Sequence, residues 1–250
     1  MKRIILPVVL LITMLSGCRK AMSPEQLMQE AASNLYKSDR LHLHAELSLN
    51  VLDGSERESE TLAVANLYAE DLQSSGRMRG DIRLTESGDV QDIEYYADED
   101  WLYVRMGSDG VCIPISDMGM ENILAGTGLP YESELLSEPE IQVEEKRTVL
   151  IYRIHDSTLN SVAEKIVGIT AGKLFSDGKP VLRDGEMQIF ITEGEIQKIG
   201  ISMLTVGTGS SQIEMTVDFL TPDENAEILP PEGYETYPRM TIKETVGAGS

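Results

Sequence analysis

The sequence predicts an α+β fold in which a curved antiparallel sheet carries amphipathic helices on its apolar face. Three observations predict it. Segments of one-sided alternation recur through residues 41–106 and 185–220, and such alternation suits antiparallel strands, because parallel strands buried on both faces read as unbroken apolar runs. Turn residues separate those segments at short intervals. Two stretches, 24–37 and 157–175, place apolar residues at helical spacing.

The chain begins with Lys2 and Arg3, an apolar run from Ile4 to Leu15, and then Ser16, Gly17 and Cys18. This is the layout of a secretory signal. The run is shorter than the roughly 20 residues a membrane span requires, and polar sequence follows it. Leu15-Ser16-Gly17-Cys18 resembles the lipobox of bacterial lipoproteins. The resemblance implies that residues 1–17 are removed as a signal peptide and that the Cys18 thiol receives a diacylglyceryl group. Cys18 with residues 19–22 would then form a lipidated tether at the outer face of the cell membrane. Two or more acyl chains anchor stably where one does not, since each buried methylene contributes about 0.8 kcal/mol.

Taking residues 1–17 from the 250 leaves 233, and without Lys2 and Arg3 there remain 19 basic against 42 acidic residues, a formal charge of −23. Such a surface repels nucleic acid and anionic headgroups, so the lipid is the membrane attachment the sequence offers. The acidity is spread along the chain, as on an ordinary solvated surface. With Cys18 lipidated, Cys112 stands alone in Val111-Cys112-Ile113-Pro114, which excludes an intrachain disulfide and reads as a small buried hydrophobe.

The elements follow in order. Ser23-Pro24-Glu25-Gln26 supplies an N-cap, a proline at the first helical position and a glutamine closing a capping box. Leu27, Met28, Ala31, Ala32, Leu35 and Tyr36 then make one stripe of a helix over 24–37. Leu41, Leu43, Ala45, Leu47, Leu49 and Val51 alternate with His42, His44, Glu46, Ser48 and Asn50, a strand apolar on one side and wet on the other. After Asp53-Gly54, strands are expected at 61–70, 76–85, 90–97 and 101–106, with turns at Ser87-Gly88-Asp89 and Asp98-Glu99-Asp100. Short helices are expected near 117–125 and 131–137, and strand signals return over 141–155. A helix follows from a Ser157 or Thr158 cap through Phe175, ended by Asp177-Gly178 and Pro180. The last meander covers 185–193, 196–206 and 211–220, turning at Glu193-Gly194-Glu195 and Gly207-Thr208-Gly209-Ser210. Nothing between 23 and 237 reads as a linker, so one domain is expected there, with a polar tail over 238–250.

Together, the lipobox, the helix opened by Ser23-Pro24-Glu25-Gln26, the Leu41-x-Leu43-x-Ala45-x-Leu47-x-Leu49 strand, the paired meanders and Leu229-Pro230-Pro231 resemble lipoproteins of Firmicutes. In plan they resemble the LolA, LolB and LprG/LppX half-barrel superfamily. The resemblance spans 23–232 in element order, without a motif that assigns single residues. It implies an open half-barrel wrapped around helices, holding an acyl chain or an acylated protein. Relatives use the same scaffold to sense lipoproteins or regulate proteases. The expected function is therefore a membrane-anchored, non-catalytic protein that binds an apolar ligand. The alternative is a structural or sensing module with a filled core that binds another envelope protein.

Leu43, Leu47, Leu49, Ile82, Leu84, Ile213, Met215, Val217 and Phe219 face the apolar side, where they line either a lipid pocket or an ordinary core. His42, His44 and Glu46 share the opposite side with neighbours about 6–7 Å apart, a spacing at which two imidazoles can share zinc; polar residues belong on that side in any case. His155 is the third histidine. No cofactor is expected, nor an enzyme: there is no Gly-x-Ser-x-Gly and no His-Glu-x-x-His, and 168–174 is one residue short of a phosphate loop and lies within a predicted helix.

Overall fold

The structure, a computed structural model, describes residues 22–51, 58–71, 76–86, 88–118, 137–144, 146–156, 158–159, 181–206, 210–223 and 227–240. Cys18, the signal segment, the Asp53-Gly54 turn, residues 207–209 of the Gly207–Ser210 turn and most of the expected helices over 117–137 and 157–175 lie outside them.

Helix α1, Pro24–Lys37, matches its expected bounds, and its capping box is formed. The Gln26 amide donates to Ser23 Oγ at 3.3 Å, and the Ser23 amide donates to Gln26 Oε1 at 3.0 Å. Eleven strands follow among the described residues. The first six are β1 Arg40–Val51, β2 Glu58–Glu70, β3 Arg77–Glu86, β4 Asp89–Ala97, β5 Trp101–Met106 and β6 Asp109–Pro114. The remaining five are β7 Glu140–Glu144, β8 Arg147–Ile154, β9 Val181–Thr192, β10 Glu195–Val206 and β11 Ser210–Leu220. They form one open antiparallel sheet in the order β6-β5-β4-β3-β2-β1-β11-β10-β9-β8-β7. Each half is a meander of neighbouring hairpins, and the two meanders are joined where β1 pairs with β11.

Three details differ from the sequence expectation. Residues 109–114, given no strand, form β6, because Gly107 takes a left-handed φ of 58° and folds the chain back on β5. The stretch 141–155 is a hairpin, β7 and β8, closed through Lys146. β9 starts at Val181 rather than 185. Asp184 with φ 53° and Gly185 form a bulge within the strand, and Leu159 packs where a Cβ on Gly185 would stand.

The wrapping expected of several helices is described for α1 alone, and residues 156, 158 and 159 are also helical. Ile115–Met118 forms a 3-10 turn. α1 lies over β10, where Asn34 Nδ2 donates to the Gly194 carbonyl at 2.9 Å. Its Met28 and Ala31 close a core with Leu150, Tyr152, Ile189, Ile191, Ile196 and Ile199. Leu159, Leu182 and Met203 make a second cluster on the same half.

The C-terminal segment docks at the other end of the sheet. The Cys112 amide donates to the Pro238 carbonyl at 3.0 Å, and the Met240 amide donates to the Cys112 carbonyl at 2.9 Å. Arg239 thereby extends edge strand β6 as a parallel bridge, so the expected tail boundary at 237/238 falls inside this contact. Tyr237 lies against Gly110, Arg239 stacks 4.6 Å over Trp101, and Tyr234 meets Tyr103 edge-on at 5.1 Å. Cys112 is buried beneath them, as its apolar neighbours imply.

Candidate ligand-binding face

Register brings the nine expected pocket residues onto one face. Leu43 stands opposite Phe219, Leu47 opposite Met215 and Leu49 opposite Ile213. Ile82 and Leu84 join them through Ala65 and Ala63 of β2. One row of side chains crosses ten strands without a polar residue: Met106, Ile93, Ile82, Ala65, Ala45, Val217, Ile199, Ile189, Leu150 and Ile141. A second row runs Gln91, Leu84, Ala63, Leu47, Met215, Ile201, Met187 and Tyr152, polar at its two ends. Glu60, exposed and opposite Leu49, puts a charge at the rim of the face.

The two halves of this face are covered differently. Leu150, Ile189 and Ile199 are buried beneath α1. In contrast, Leu43, Leu47, Leu49, Ile82, Leu84, Ile213, Met215, Val217 and Phe219 are each half-buried. Val217 and Phe219 also pack against the α1 core and Ile213 against the second cluster, so the nine form a continuous, partly exposed apolar face among the described residues. Sequence reasoning missed the floor of that surface. Ala45 and Ala65 are small and stand directly opposite each other, with Ala63 two residues along β2 opposite Leu47, and they are flanked by Leu43, Leu47, Leu67 and Ile82. Cross-strand neighbours are about 4.5–5.5 Å apart at Cβ, so small residues opposite one another leave a shallow trough.

Gly80 takes no part in that room: a Cβ there would overlap the Asn66 carbonyl and the Tyr95 ring, which lies across it. Burial pushes the Tyr95 hydroxyl up to about 12, so this inward-facing polar group is neutral near pH 7, and it donates a long bond, 3.5 Å, to the Asn66 carbonyl. Among the described residues, the central rows of the face thus offer van der Waals contact, with charge at the Glu60 rim.

The opposite face is polar and internally satisfied. His44 Nδ1 donates to Asn66 Oδ1 at 2.8 Å, and Asn66 Nδ2 donates to Asp81 Oδ2 at 2.9 Å. His42 stacks on Tyr68 at 4.2 Å, and Glu46 accepts from Thr61 at 3.2 Å. The three possible metal ligands are therefore each engaged by a different β2 residue rather than turned toward one another. No group of three ligating side chains is poised for a metal among the described residues. Arg83 pairs with exposed Asp92 at 2.8 Å, and Arg105 pairs with Glu94, part-buried; Asp92, Glu94 and Arg105 line a depression with Val90, Gln91, Met106 and Gly107. No described helix is long and apolar enough to cross a membrane.

No known family profile matches the sequence, and no curated protein does. Among solved structures, the lipoprotein LppX of Mycobacterium tuberculosis is similar at 10% identity, over 81% of this chain and 96% of that one, with a TM-score of 0.47. The ywiB protein of Bacillus subtilis is similar at 9% identity over 76% and 99%, with a TM-score of 0.21. A DUF1329 family protein of Desulfovibrio piger is similar at 10% identity over 82% and 96%, with a TM-score of 0.30.

Proposed function

We propose that this chain is a non-catalytic, lipid-anchored binding protein of the cell envelope. In this reading Cys18 is the anchor, and the open sheet acts as a half-barrel of the LolA, LolB and LprG/LppX plan that cradles an acyl chain, free or carried by a lipoprotein. One observation carries the reading: an uncharged apolar surface, continuous across the central strands, whose nine central residues are only half-buried. Each methylene withdrawn from water against it contributes about 0.8 kcal/mol. Ten to fifteen methylenes therefore supply about 8–12 kcal/mol before the cost of immobilisation is met.

The test is native mass spectrometry of the purified full chain followed by organic extraction. A co-purifying species carrying a long acyl chain is the expected result. A chain that carries no lipid, and takes none up from phospholipid vesicles, overturns the proposal in favour of a module with a filled core. Anchoring has its own test: Cys18→Ala is expected to abolish metabolic palmitate labelling and release the protein from membranes, and retained labelling refutes the lipobox reading.

A further inference from the structure

The sheet has two edges, and the chain treats them unequally. β6 is capped by the chain's own residues, with Pro238 and Met240 bonded to Cys112. Among the described residues, β7 pairs with β8 alone, and all five of its residues are exposed. An edge strand presents a row of backbone N–H and C=O groups on its open side, a template for another strand. Natural edges are blunted by shortness, charged side chains, a proline or a bulge; the five residues Glu140–Glu144 hold no lysine, proline or bulge, and their guards are Glu140 and Glu144, which repel an acidic strand but not a basic one.

Its side chains divide by face. Ile141 and Val143, 42% and 72% exposed, continue the apolar face beyond Leu150 and Thr148. Glu140, Gln142 and Glu144 take the other face, and exposed Glu138 precedes them. We infer that β7 is a docking edge for an extended segment of a partner protein whose residues alternate basic and apolar, adding a twelfth strand. Directly opposite residues interact most strongly, so basic residues belong opposite Glu140 and Glu144 and apolar ones opposite Ile141 and Val143. A second copy fits worse. Antiparallel self-pairing centred on Gln142 sets Glu140 against Glu144, and like charges directly opposite are destabilising. Glu144 already shares its carboxylate with Arg147 across the hairpin, which leaves Glu138 and Glu140 as the charges most open to a partner. This inference does not depend on what the apolar face holds.

The probe is a labelled peptide with the core Lys-Val-Thr-Val-Lys, compared with Glu-Val-Thr-Val-Glu, on the full chain by fluorescence anisotropy. The basic peptide is expected to bind at least about tenfold more tightly, with amide-exchange protection confined to β7. Reversing the edge with Glu140→Lys and Glu144→Lys, both exposed, is expected to invert that preference while circular dichroism stays unchanged. Val143→Pro is expected to weaken both peptides. Equal binding of the two peptides, or a preference unmoved by the reversal, overturns the proposal. So does a wild-type dimer that Val143→Pro makes monomeric, which would assign the edge to a second copy.

Discussion

Replacing Ala45 with leucine tests the trough directly. Ala45 stands opposite Ala65 on one side and Val217 on the other, at the centre of the apolar row. Leucine adds three carbons where three methylenes of a bound chain would lie. Losing those contacts at about 0.8 kcal/mol each comes to about 2.4 kcal/mol, or roughly sixtyfold in Kd. The position is half-buried, so the fold should lose no more than about 0.5 kcal/mol. Displacement of a fluorescent palmitate analogue reads the affinity, and urea denaturation reads the stability. Ser48→Leu adds apolar bulk to the same strand on its polar side and should leave affinity unchanged. An Ala45→Leu protein that binds within threefold of wild type, with an unchanged urea midpoint, refutes the trough. Equal weakening by Ser48→Leu does the same.

Other consequences follow from the packing. Leu150 is 0% exposed between α1 and the sheet, so Leu150→Ala should lower the unfolding free energy by about 2–5 kcal/mol in urea titration; a loss below 1 kcal/mol would contradict this core. A Cβ on Gly110 would stand 2.5 Å from the Tyr237 ring. Gly110→Leu should therefore displace the C-terminal segment and shift the emission of Trp101, the sole tryptophan, as Arg239 leaves its face; an unaltered spectrum argues against the clasp. Tyr95 ionises near pH 12 when folded against 10 when exposed, so the unfolded chain releases that proton first. Its contribution is whole below pH 10 and is lost between pH 10 and 12, by about 1–3 kcal/mol. Tyr95→Phe should flatten that alkaline decline relative to wild type, and parallel stability curves would show the hydroxyl to be solvated.

Legibility in the sequence followed the range of the interactions. α1 was readable to the residue because Ser23, Pro24 and Gln26 act within one turn, and β1 because its alternation runs unbroken from Leu41 to Val51. β6 was not, since Gly110-Val111-Cys112-Ile113-Pro114 has no alternation; its strand character comes from β5 on one side and Arg239 on the other. The early start of β9 was hidden by Asp184-Gly185, which reads as turn chemistry but serves as a bulge under Leu159. The nine candidate residues were identified as sharing a side, while their assembly into one surface depended on the β1–β11 pairing, which no local signal announces. The trough went unseen because alanine facing alanine across strands has meaning only once the register is known.

That same β1–β11 pairing fixes an order of events as the chain folds. Each half-sheet is a string of hairpins that close short loops and form quickly, but Leu43 cannot meet Phe219 until nearly the whole chain has been made and gathered. Until then each half exposes a raw central edge and its share of the greasy face, the combination most prone to aggregate. The seam should therefore be the slowest step of refolding, and the period before it closes is when the chain is most exposed to misassembly.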